Sequence, residues 1–254
     1  MEKVLISGIG SGIGKYLHEK HGGLGLSRYN TTEVFSHAKD GVDTIIHCAF
    51  NAKRDVTSDT LNSYSADNIG LTNKLLEIPH KKFIFFSTVD VYPRDSEIHY
   101  EEEDIALDAV NGLYPLTKLM SESSIRRVSQ NFLILRCTGL LGLYSRKNNL
   151  LKVLQDPEPH LSLTPESEVN VVLHEYLNRF IIDALSHDYQ GIYNIAASSN
   201  VTIKEVAELA QKNVQYGTFA YRVARVDTRK VQDINGLFKR SSLENIREFS
   251  QQLS

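Results

Sequence analysis

The chain lacks the features that mark secreted, membrane-spanning or nucleic-acid-binding proteins. It has two cysteines in 254 residues, Cys48 and Cys137, and both lie in apolar stretches where a thiol packs as a small hydrophobe. They offer no disulfide framework, which favours a reducing compartment. No apolar run approaches the length of about 18 residues that a membrane helix needs, and no basic-then-apolar leader precedes the first apolar run. A net charge of −3 argues against nucleic acid or an anionic membrane as a partner. We therefore expect a soluble cytoplasmic protein.

What the chain does contain is short apolar runs that alternate with helical periods. Strands are predicted over residues 4–6, 24–26, 42–50, 82–87, 132–136 and 192–195. Helices are predicted over residues 13–20, 58–76, 113–128, 174–185, 202–212 and 242–253, and an acidic solvated loop over 95–111. This alternation implies right-handed crossovers and a doubly wound parallel α/β sheet. The pattern loosens after residue 142, so we divide the chain into a main domain, 1–142, and a smaller lobe, 143–254, with elements that return to the main sheet.

The first strand runs into a glycine-rich turn that precedes the first helix. The spacing Gly8-x-x-x-Gly12-x-Gly14 lets the backbone approach a ligand without an intervening Cβ. Strand, glycine turn and helix together place bare amides against a pyrophosphate at a helix N-terminus. Glycine turns also occur without any ligand, so the turn alone does not decide between a nucleotide site and a structural one.

A second candidate site combines a helix and the end of a strand. Tyr114 and Lys118 are four residues apart, so on a helix the phenol and the ammonium share one face. A nearby cation favours the phenolate and is expected to lower the pKa of the tyrosine, as a general acid/base for alcohol–ketone interconversion requires. Ser87 and Thr88 end the most hydrophobic strand, where open α/β sheets place ligands. The alternatives are an ordinary surface pair for Tyr114 and Lys118, and simple capping of the strand end by the two hydroxyls.

Several linked motifs occur in a fixed order along the chain. They are Asp43-x-x-Ile-His47-Cys-Ala49, Asn68-Ile-Gly, Phe-Phe-Ser87-Thr88-Val-Asp-Val-Tyr92, Tyr114-x-x-x-Lys118 with Glu122, Leu135-Arg136-Cys-Thr-Gly139-Leu-Leu-Gly142, and Gly191-Ile-Tyr-Asn194. With these motifs the chain resembles, almost from end to end, the extended short-chain dehydrogenase/reductases. That family contains nucleotide-sugar epimerases, dehydratases and 4-ketoreductases.

The resemblance implies a Rossmann-type fold with a small C-terminal substrate lobe, and a role for each matching residue. Tyr114 would be the acid/base, Lys118 its partner and the ribose anchor, and Thr88 the hydroxyl that positions the substrate. No metal ion is part of this site. The other expected contacts to the cofactor come from Gly8, Ser11, Gly12, Ile13, Gly14 and Ala49.

The end of the second strand predicts which dinucleotide is preferred. NAD binders usually place an acid there, where it accepts hydrogen bonds from the ribose hydroxyls. Here the position holds Ser27, followed by Arg28, whose planar fork suits a phosphate. We therefore expect NADP(H) to be preferred and NAD(H) to remain possible. The alternative is that Arg28 is a solvated charge and either cofactor is accepted.

The chain also departs from the family pattern. Ser11 replaces the middle glycine of the turn, Cys137 stands where proline is usual, and Leu71 replaces a helix glycine. Asp90 stands where similar dehydratases carry a glutamate, and we interpret it as a turn cap. The chain is short for the family, so the sequence leaves open which sugar nucleotide it binds.

Three functions follow from the resemblance. The first is NADPH-dependent reduction of a nucleotide-linked 4-keto-6-deoxy sugar, and the second is epimerisation or dehydration with a recycled cofactor. The third, a non-catalytic dinucleotide sensor, has no need for Thr88, Tyr114 and Lys118 together. Family members commonly form homodimers through the helices predicted here over residues 58–76 and 113–128, and we expect the same assembly.

Overall fold

The computed structural model describes residues 3–53 and 55–253. The strands are β1 Val4–Ser7, β2 Leu24–Leu26, β3 Val42–His47, β4 His80–Thr88, β5 Ile98–His99, β6 Phe132–Cys137, β7 Gly139–Leu141, β8 Glu168–Val169, β9 Val171–Leu173, β10 Gly191–Ile195, β11 Val201–Thr202 and β12 Arg225–Val226. The helices are α1 Gly12–His21, α2 Thr31–Ala38, α3 Ser58–Ser65, α4 Leu71–Leu76, α5 Leu113–Val128, α6 Asn149–Gln155, α7 His174–Ser186, α8 Ile203–Leu209, α9 Arg229–Ile234 and α10 Ser242–Leu253. A π-helical turn, Ala66–Gly70, joins α3 to α4. Within the described ranges, no helix combines the length and the apolar content that crossing a membrane requires.

The central sheet has six parallel strands in the order β10-β6-β4-β3-β1-β2. This confirms the predicted doubly wound α/β fold. From β1 the chain passes outward to β2 and then returns to the other side of β1 as β3, so the winding direction reverses between β1 and β3. Such a switch point opens a crevice at the carboxyl edge of the sheet, where ligands of this fold class bind.

Both faces of the sheet are buried, because neighbouring residues of each strand point to opposite sides. Ile45 in β3 packs into a core shared with α2, α4 and α5. Its neighbour Ile46 packs into a larger core shared with α1, α7, α8 and α10. The continuous apolar character of these strands follows from having two covered faces.

The second half of the chain contributes to this main framework. Strand β10 pairs in parallel with β6, and Phe180 of α7 is fully buried in the larger core. Other strands after residue 138 form two-residue and three-residue pairs, β7 with β9 and β8 with β11. The division of the chain at residue 142 remains a prediction, because one core contains side chains from both parts.

Some elements differ from the sequence prediction. Helices α2 and α6, of eight and seven residues, were not predicted because each is too short to show a clear helical period. Strand β3 ends at His47, three residues before the predicted end. The predicted helix over 58–76 exists, but it contains the π-helical turn in its middle.

The acidic segment over residues 95–111 is not simply a solvated loop, and this part of the prediction is wrong. Glu101 is 5% exposed, and its carboxylate accepts a hydrogen bond from the Asn194 amide of β10 at 2.9 Å. Burial raises the pKa of Glu101 above its usual range. His99 is also buried and lies between the carboxylates of Asp95 and Glu103. Long-range contacts, which local composition does not encode, bury these polar side chains.

Candidate active site

The glycine turn after β1 meets the loop after β3 at the switch point of the sheet. Gly8 has a φ of +78°, and a Cβ built on it would lie 2.8 Å from the amide nitrogen of Ala49. Gly14 is also crowded, since a Cβ there would lie 2.5 Å from the Gly8 carbonyl oxygen. Close packing of backbone therefore requires glycine at both positions. Ala49 lies beside the turn, at the position where we expect it to line the cofactor.

The residues of the turn fit the pyrophosphate of a dinucleotide. Helix α1 begins at Gly12, which has a φ of +62° and open space where a Cβ would stand. Ser11 precedes the helix but makes no side-chain capping bond. The first amides of a helix, here including that of Ile13, have no acceptor within the helix and carry the positive end of its dipole. This arrangement binds phosphate groups in many proteins.

Two residues from the second half of the chain contact this turn. The Gly12 amide donates a hydrogen bond to the carbonyl oxygen of Tyr144 at 2.6 Å. The Nε of Arg146 donates to the Ser11 hydroxyl at 2.8 Å. Sequence reasoning missed both residues, because nothing in the local pattern around residue 144 marks a contact with a turn more than a hundred residues away.

The end of β2 holds Ser27 and Arg28 as predicted, but the Ser27 hydroxyl already has partners. It donates to Oδ1 of Asn30 at 2.9 Å and accepts the amide of Tyr29 at 3.3 Å. Asn30 in turn donates to the Gly25 carbonyl, so it fixes the turn that leads into α2. Ser27 therefore shapes this turn, whereas Arg28 is exposed. Asn30 is a further residue that sequence reasoning missed.

Thr88 and Tyr114 lie close together at the carboxyl edge of the sheet. The Thr88 hydroxyl lies close enough to the Tyr114 phenol to act on its pKa, and it accepts the Asp90 amide at 3.1 Å. The hydroxyl therefore caps a short 3₁₀ turn and also lies beside the predicted acid/base. The Tyr114 ring packs against Phe50, with ring centres 5.4 Å apart. Thr88 and Tyr114 thus stand one loop away from the glycine turn.

Lys118 lies one turn of α5 beyond Tyr114 and is 4% exposed. Its ammonium donates to the carbonyl oxygen of Phe86 at 2.7 Å and lies 5.8 Å from the centre of the Tyr114 ring. Burial lowers the pKa of Lys118 to about 8. The two side chains therefore share one face of α5, as their spacing predicts, and they do not form an ordinary surface pair.

The expected effect of Lys118 on Tyr114 is not what the structure gives. Burial raises the pKa of Tyr114 above its usual value, and the negative charge of Asp90 raises it further. The prediction of a lowered pKa was wrong because it weighed a single cation and ignored desolvation of the phenolate. The Tyr114 phenol is therefore protonated near neutral pH.

A buried hydrogen-bonded chain supports the site from behind, and sequence reasoning missed it. The Ser7 hydroxyl accepts the amides of Cys48 and Ala49, both at 3.1 Å. Its own proton must then go to Nδ1 of His47, 2.7 Å away, which leaves the His47 proton on Nε2 for the Thr72 hydroxyl. Burial lowers the pKa of His47 to about 3, so this imidazole is neutral. This series of hydrogen bonds ties the glycine turn to α4, the helix that follows the π-helical turn.

A buried ion pair fixes the far end of α5. Arg136 of β6 donates to both carboxylate oxygens of Glu122, at 2.8 and 3.2 Å, and each side chain is 3% exposed. Arg136 also donates to the Tyr92 phenol at 2.7 Å, and Ser87 donates to Glu122. Ser87 thus has a structural partner in Glu122. Tyr114, Lys118 and Glu122 lie on one face of α5, and the ion pair holds that face against the sheet.

Asp90 does not act as the turn cap that we predicted. Its carboxylate accepts a hydrogen bond from Arg94 at 2.9 Å and another from the Tyr221 phenol at 3.3 Å. Thr88 provides the cap, since its hydroxyl accepts the Asp90 amide. The Asp90 carboxylate is therefore held by side chains, close enough to Tyr114 to raise the pKa of the phenol.

A comparison with protein families decides the assignment. The model of the NAD dependent epimerase/dehydratase family matches residues 7–156. The chain belongs to this family. The match runs from the glycine turn to α6 and so includes Thr88, Tyr114 and Lys118. It confirms the expected kinship with the extended short-chain dehydrogenase/reductases, and with it an enzyme that works with a nicotinamide dinucleotide.

Solved structures share the fold of this family member at low identity. A dTDP-4-dehydrorhamnose reductase from Bacillus anthracis str. Ames, in complex with NADP, has a TM-score of 0.80 and 17% identity, with 100% of each chain covered. A dTDP-glucose 4,6-dehydratase from the same strain, in complex with NAD, has a TM-score of 0.77 and 16% identity, covering 100% of this chain and 96% of the other. A UDP-N-acetylglucosamine 4-epimerase from Bacillus cereus has a TM-score of 0.74 and 15% identity, covering 100% of this chain and 96% of the other. A comparison with curated proteins gave no significant match.

Proposed function

We propose that this family member is an NADPH-dependent reductase of a nucleotide-linked 4-keto-6-deoxy sugar. The observation that carries the proposal is the closeness of the Thr88 hydroxyl to a protonated Tyr114, beside the Lys118 ammonium. A reductase must deliver a proton to the oxygen of its substrate, and a half-buried neutral phenol is ready to do so. Oxidation of an alcohol would instead start from the phenolate, which burial disfavours here.

Each of the three side chains has one task in the proposed reaction. The nicotinamide, when bound, supplies the hydride to the keto carbon. Thr88 orients the substrate oxygen by a hydrogen bond, and Tyr114 donates its proton to that oxygen as negative charge develops. The Lys118 ammonium stabilises the phenolate that remains. The buried position of Lys118 strengthens this effect, since water screens the charge less.

The preference for NADP(H) is supported by charge at the end of β2. Ser27 places no carboxylate there to repel a 2′-phosphate, and the exposed Arg28 beside it supplies a cation. The structurally similar dTDP-4-dehydrorhamnose reductase is in complex with NADP. NADPH is also the dinucleotide that a net reductase would consume. NAD(H) remains the alternative cofactor.

A second candidate is a dehydratase or epimerase that recycles its cofactor. Asp90, two residues after Thr88, favours it, because a carboxylate near Tyr114 could serve as a base. Against this, the carboxylate is already engaged by Arg94 and Tyr221. Its pairing leaves the reductase as the better-supported proposal.

We also propose that the enzyme is a homodimer joined through the helices over residues 58–76 and 113–128. Large apolar side chains on these helices are exposed: Leu61, Leu113, Met120 and Val128. Burial of such side chains between two copies would stabilise the dimer. Light scattering should then give the mass of two chains, and Met120→Glu should shift the mass toward one chain. A wild-type mass of one chain at all concentrations would contradict this assembly.

Stoichiometry of cofactor use tests the proposed function. The protein is incubated with NADPH or NADH and a panel of UDP- and dTDP-linked sugars, including 4-keto-6-deoxy sugars. A reductase consumes one NADPH for each product, seen by absorbance and product mass. Turnover of a sugar nucleotide without net loss of cofactor would instead support the epimerase or dehydratase.

A further inference from the structure

A short segment from the second half of the chain lies against the glycine turn. We call Tyr144, Ser145 and Arg146 the strap. Its carbonyl at Tyr144 accepts the Gly12 amide at 2.6 Å, and Arg146 donates to the Ser11 hydroxyl at 2.8 Å. Lys15 of α1 lies over the Tyr144 ring, 4.5 Å from its centre. The strap therefore contacts the turn through both backbone and side chains.

The strap is anchored beyond the turn at its middle residue. The Ser145 hydroxyl accepts the Gly142 amide at 2.9 Å and donates to the Leu140 carbonyl at 3.2 Å. These two bonds tie the strap to β7 without using the glycine turn. The contacts at Tyr144 and Arg146 can therefore change while Ser145 remains in place.

Arg146 extends from the glycine turn toward the catalytic residues. Its guanidinium carbon lies 5.8 Å from the centre of the Phe50 ring, and that ring packs on Tyr114. The bond to Ser11 uses one of its five N–H donors. Among the residues described, no carboxylate forms an ion pair with Arg146. The helix N-terminus beneath it is positive as well, so this pairing of cation and helix end is suited to an anion between them.

From these contacts we infer that Arg146 is a further pyrophosphate-binding residue of the dinucleotide site, and that the strap gives up the Gly12 amide when the dinucleotide binds. The carbonyl of Tyr144 and a phosphate oxygen compete for the same amide hydrogen. Arg146 then exchanges the neutral Ser11 hydroxyl for a charged oxygen, which makes a stronger hydrogen bond. The inference deepens the proposed function in one respect, since it rests on the presence of a dinucleotide there.

Binding of nucleotide fragments, measured by calorimetry without turnover, tests the role of Arg146. ADP-ribose contains the pyrophosphate, whereas AMP does not. Arg146→Ala should weaken the binding of ADP-ribose and of NADPH by about tenfold or more, as expected for loss of a charged hydrogen bond. The affinity for AMP should be unchanged. Arg146→Lys keeps the charge but not the planar fork, so an intermediate loss is expected.

Lys147→Ala is the matched control, because it removes the neighbouring cation, which is 62% exposed and pairs with Asp156. Its affinity for ADP-ribose should equal that of the wild type. Equal binding of ADP-ribose by wild type and Arg146→Ala would overturn the inference, as would an equal loss in Lys147→Ala. Failure of the wild type to bind NADPH, NADH and ADP-ribose would overturn the dinucleotide site and the proposed function with it.

Movement of the strap has a separate optical test, because the chain contains no tryptophan. Tyr144→Trp would therefore introduce a single indole fluorophore beside Gly12. ADP-ribose should shift its emission and AMP should not. An unchanged emission at saturating ADP-ribose would show that the strap stays in place and would overturn that half of the inference.

Discussion

The two ends of the candidate site are built in different ways. At the catalytic end, Thr88 and Lys118 are 7% and 4% exposed, and buried polar side chains hold the elements that carry them. At the phosphate end, glycine backbone provides the amides, and the side-chain cations Arg28 and Arg146 are exposed. The charged side chain at the catalytic end is therefore desolvated, whereas the charged side chains at the phosphate end are exposed to solvent.

This difference follows from what each end has to do. A proton donor must be held close to a reacting oxygen before reaction, and preorganised groups in a dry site do this best. A dinucleotide must enter and leave, and backbone amides together with long, flexible side chains suit the proposed phosphate site for that purpose. We therefore expect substitutions at the catalytic end to have large effects on rate or stability, and substitutions at the phosphate end to have smaller effects on affinity.

The largest effect is expected from removal of the phenol at the catalytic end. Tyr114→Phe should lower kcat by about a hundredfold to ten-thousandfold, because general acid catalysis contributes that much. Dinucleotide affinity should remain close to that of the wild type in a fluorescence titration. The control is Tyr216→Phe, which removes a phenol hydroxyl from the second half of the chain and should keep full turnover. Half of the wild-type kcat in Tyr114→Phe would remove this residue from its role.

Breaking the buried ion pair should cost stability. Arg136→Met leaves Glu122 buried without its partner, so the free energy of unfolding in urea should fall by about 3–5 kcal/mol. Arg179→Met breaks the exposed pair with Glu175 on α7 and should change stability far less. Equal losses in the two variants would mean that burial does not distinguish the two pairs.

The pH dependence of kcat/KM should reflect the loss of the proton from the Lys118 ammonium. The pKa of its ammonium is about 8 in the folded chain, below the usual 10.5, while Tyr114 stays protonated. The value of kcat/KM for reduction should therefore fall as pH rises through about 8, when the cation that stabilises the phenolate is lost. Lys118→Arg, which keeps its charge, should move this fall to higher pH.

The same shift predicts how stability changes with pH. Between about pH 8 and 10.5 the unfolded chain binds the Lys118 proton and the folded chain does not. The contribution of Lys118 to stability therefore rises with pH in this window. This contribution is measured as the difference in the free energy of unfolding in urea between wild type and Lys118→Met, determined at pH 7 and at pH 9. A flat rate profile through pH 8, or an equal stability difference at both pH values, would contradict the prediction.

The smallest effect is expected at the phosphate end. Arg28→Ala should weaken the binding of NADPH by about tenfold and leave the affinity for NADH nearly unchanged, because only NADPH carries the 2′-phosphate. Titration of both cofactors against both proteins measures the difference. Equal affinities of the wild type for NADPH and NADH would remove the proposed preference and shift weight to an enzyme that recycles its cofactor.

The sequence predicted the parts of this protein that depend on local pattern. The apolar runs located all six strands of the main sheet, and the four-residue spacing placed Tyr114 and Lys118 on one face of α5. The spacing of Gly8 and Gly14 indicated backbone contacts, and the structure shows how close they are. Period and spacing are encoded over a few residues, so they can be read without a structure.

The parts that could not be predicted depend on contacts between distant residues. Nothing near Glu101 indicates that its carboxylate would be buried against β10, and composition suggested a solvated loop. The pKa of Tyr114 depends on how much water the fold excludes, which a pairwise reading of Lys118 cannot supply. Tyr144 reaches Gly12 only because the chain after β7 returns to the glycine turn.

The order of the sheet also bears on how the protein resists aggregation. An unpaired edge strand offers free backbone groups on which another chain can build. One outer strand, β2, is three residues long. On the other outer strand, β10, the Lys230 ammonium donates a hydrogen bond to the Ile192 carbonyl oxygen at 2.6 Å. Neither border of the sheet therefore gives a long, open template on which the strand of another chain could add.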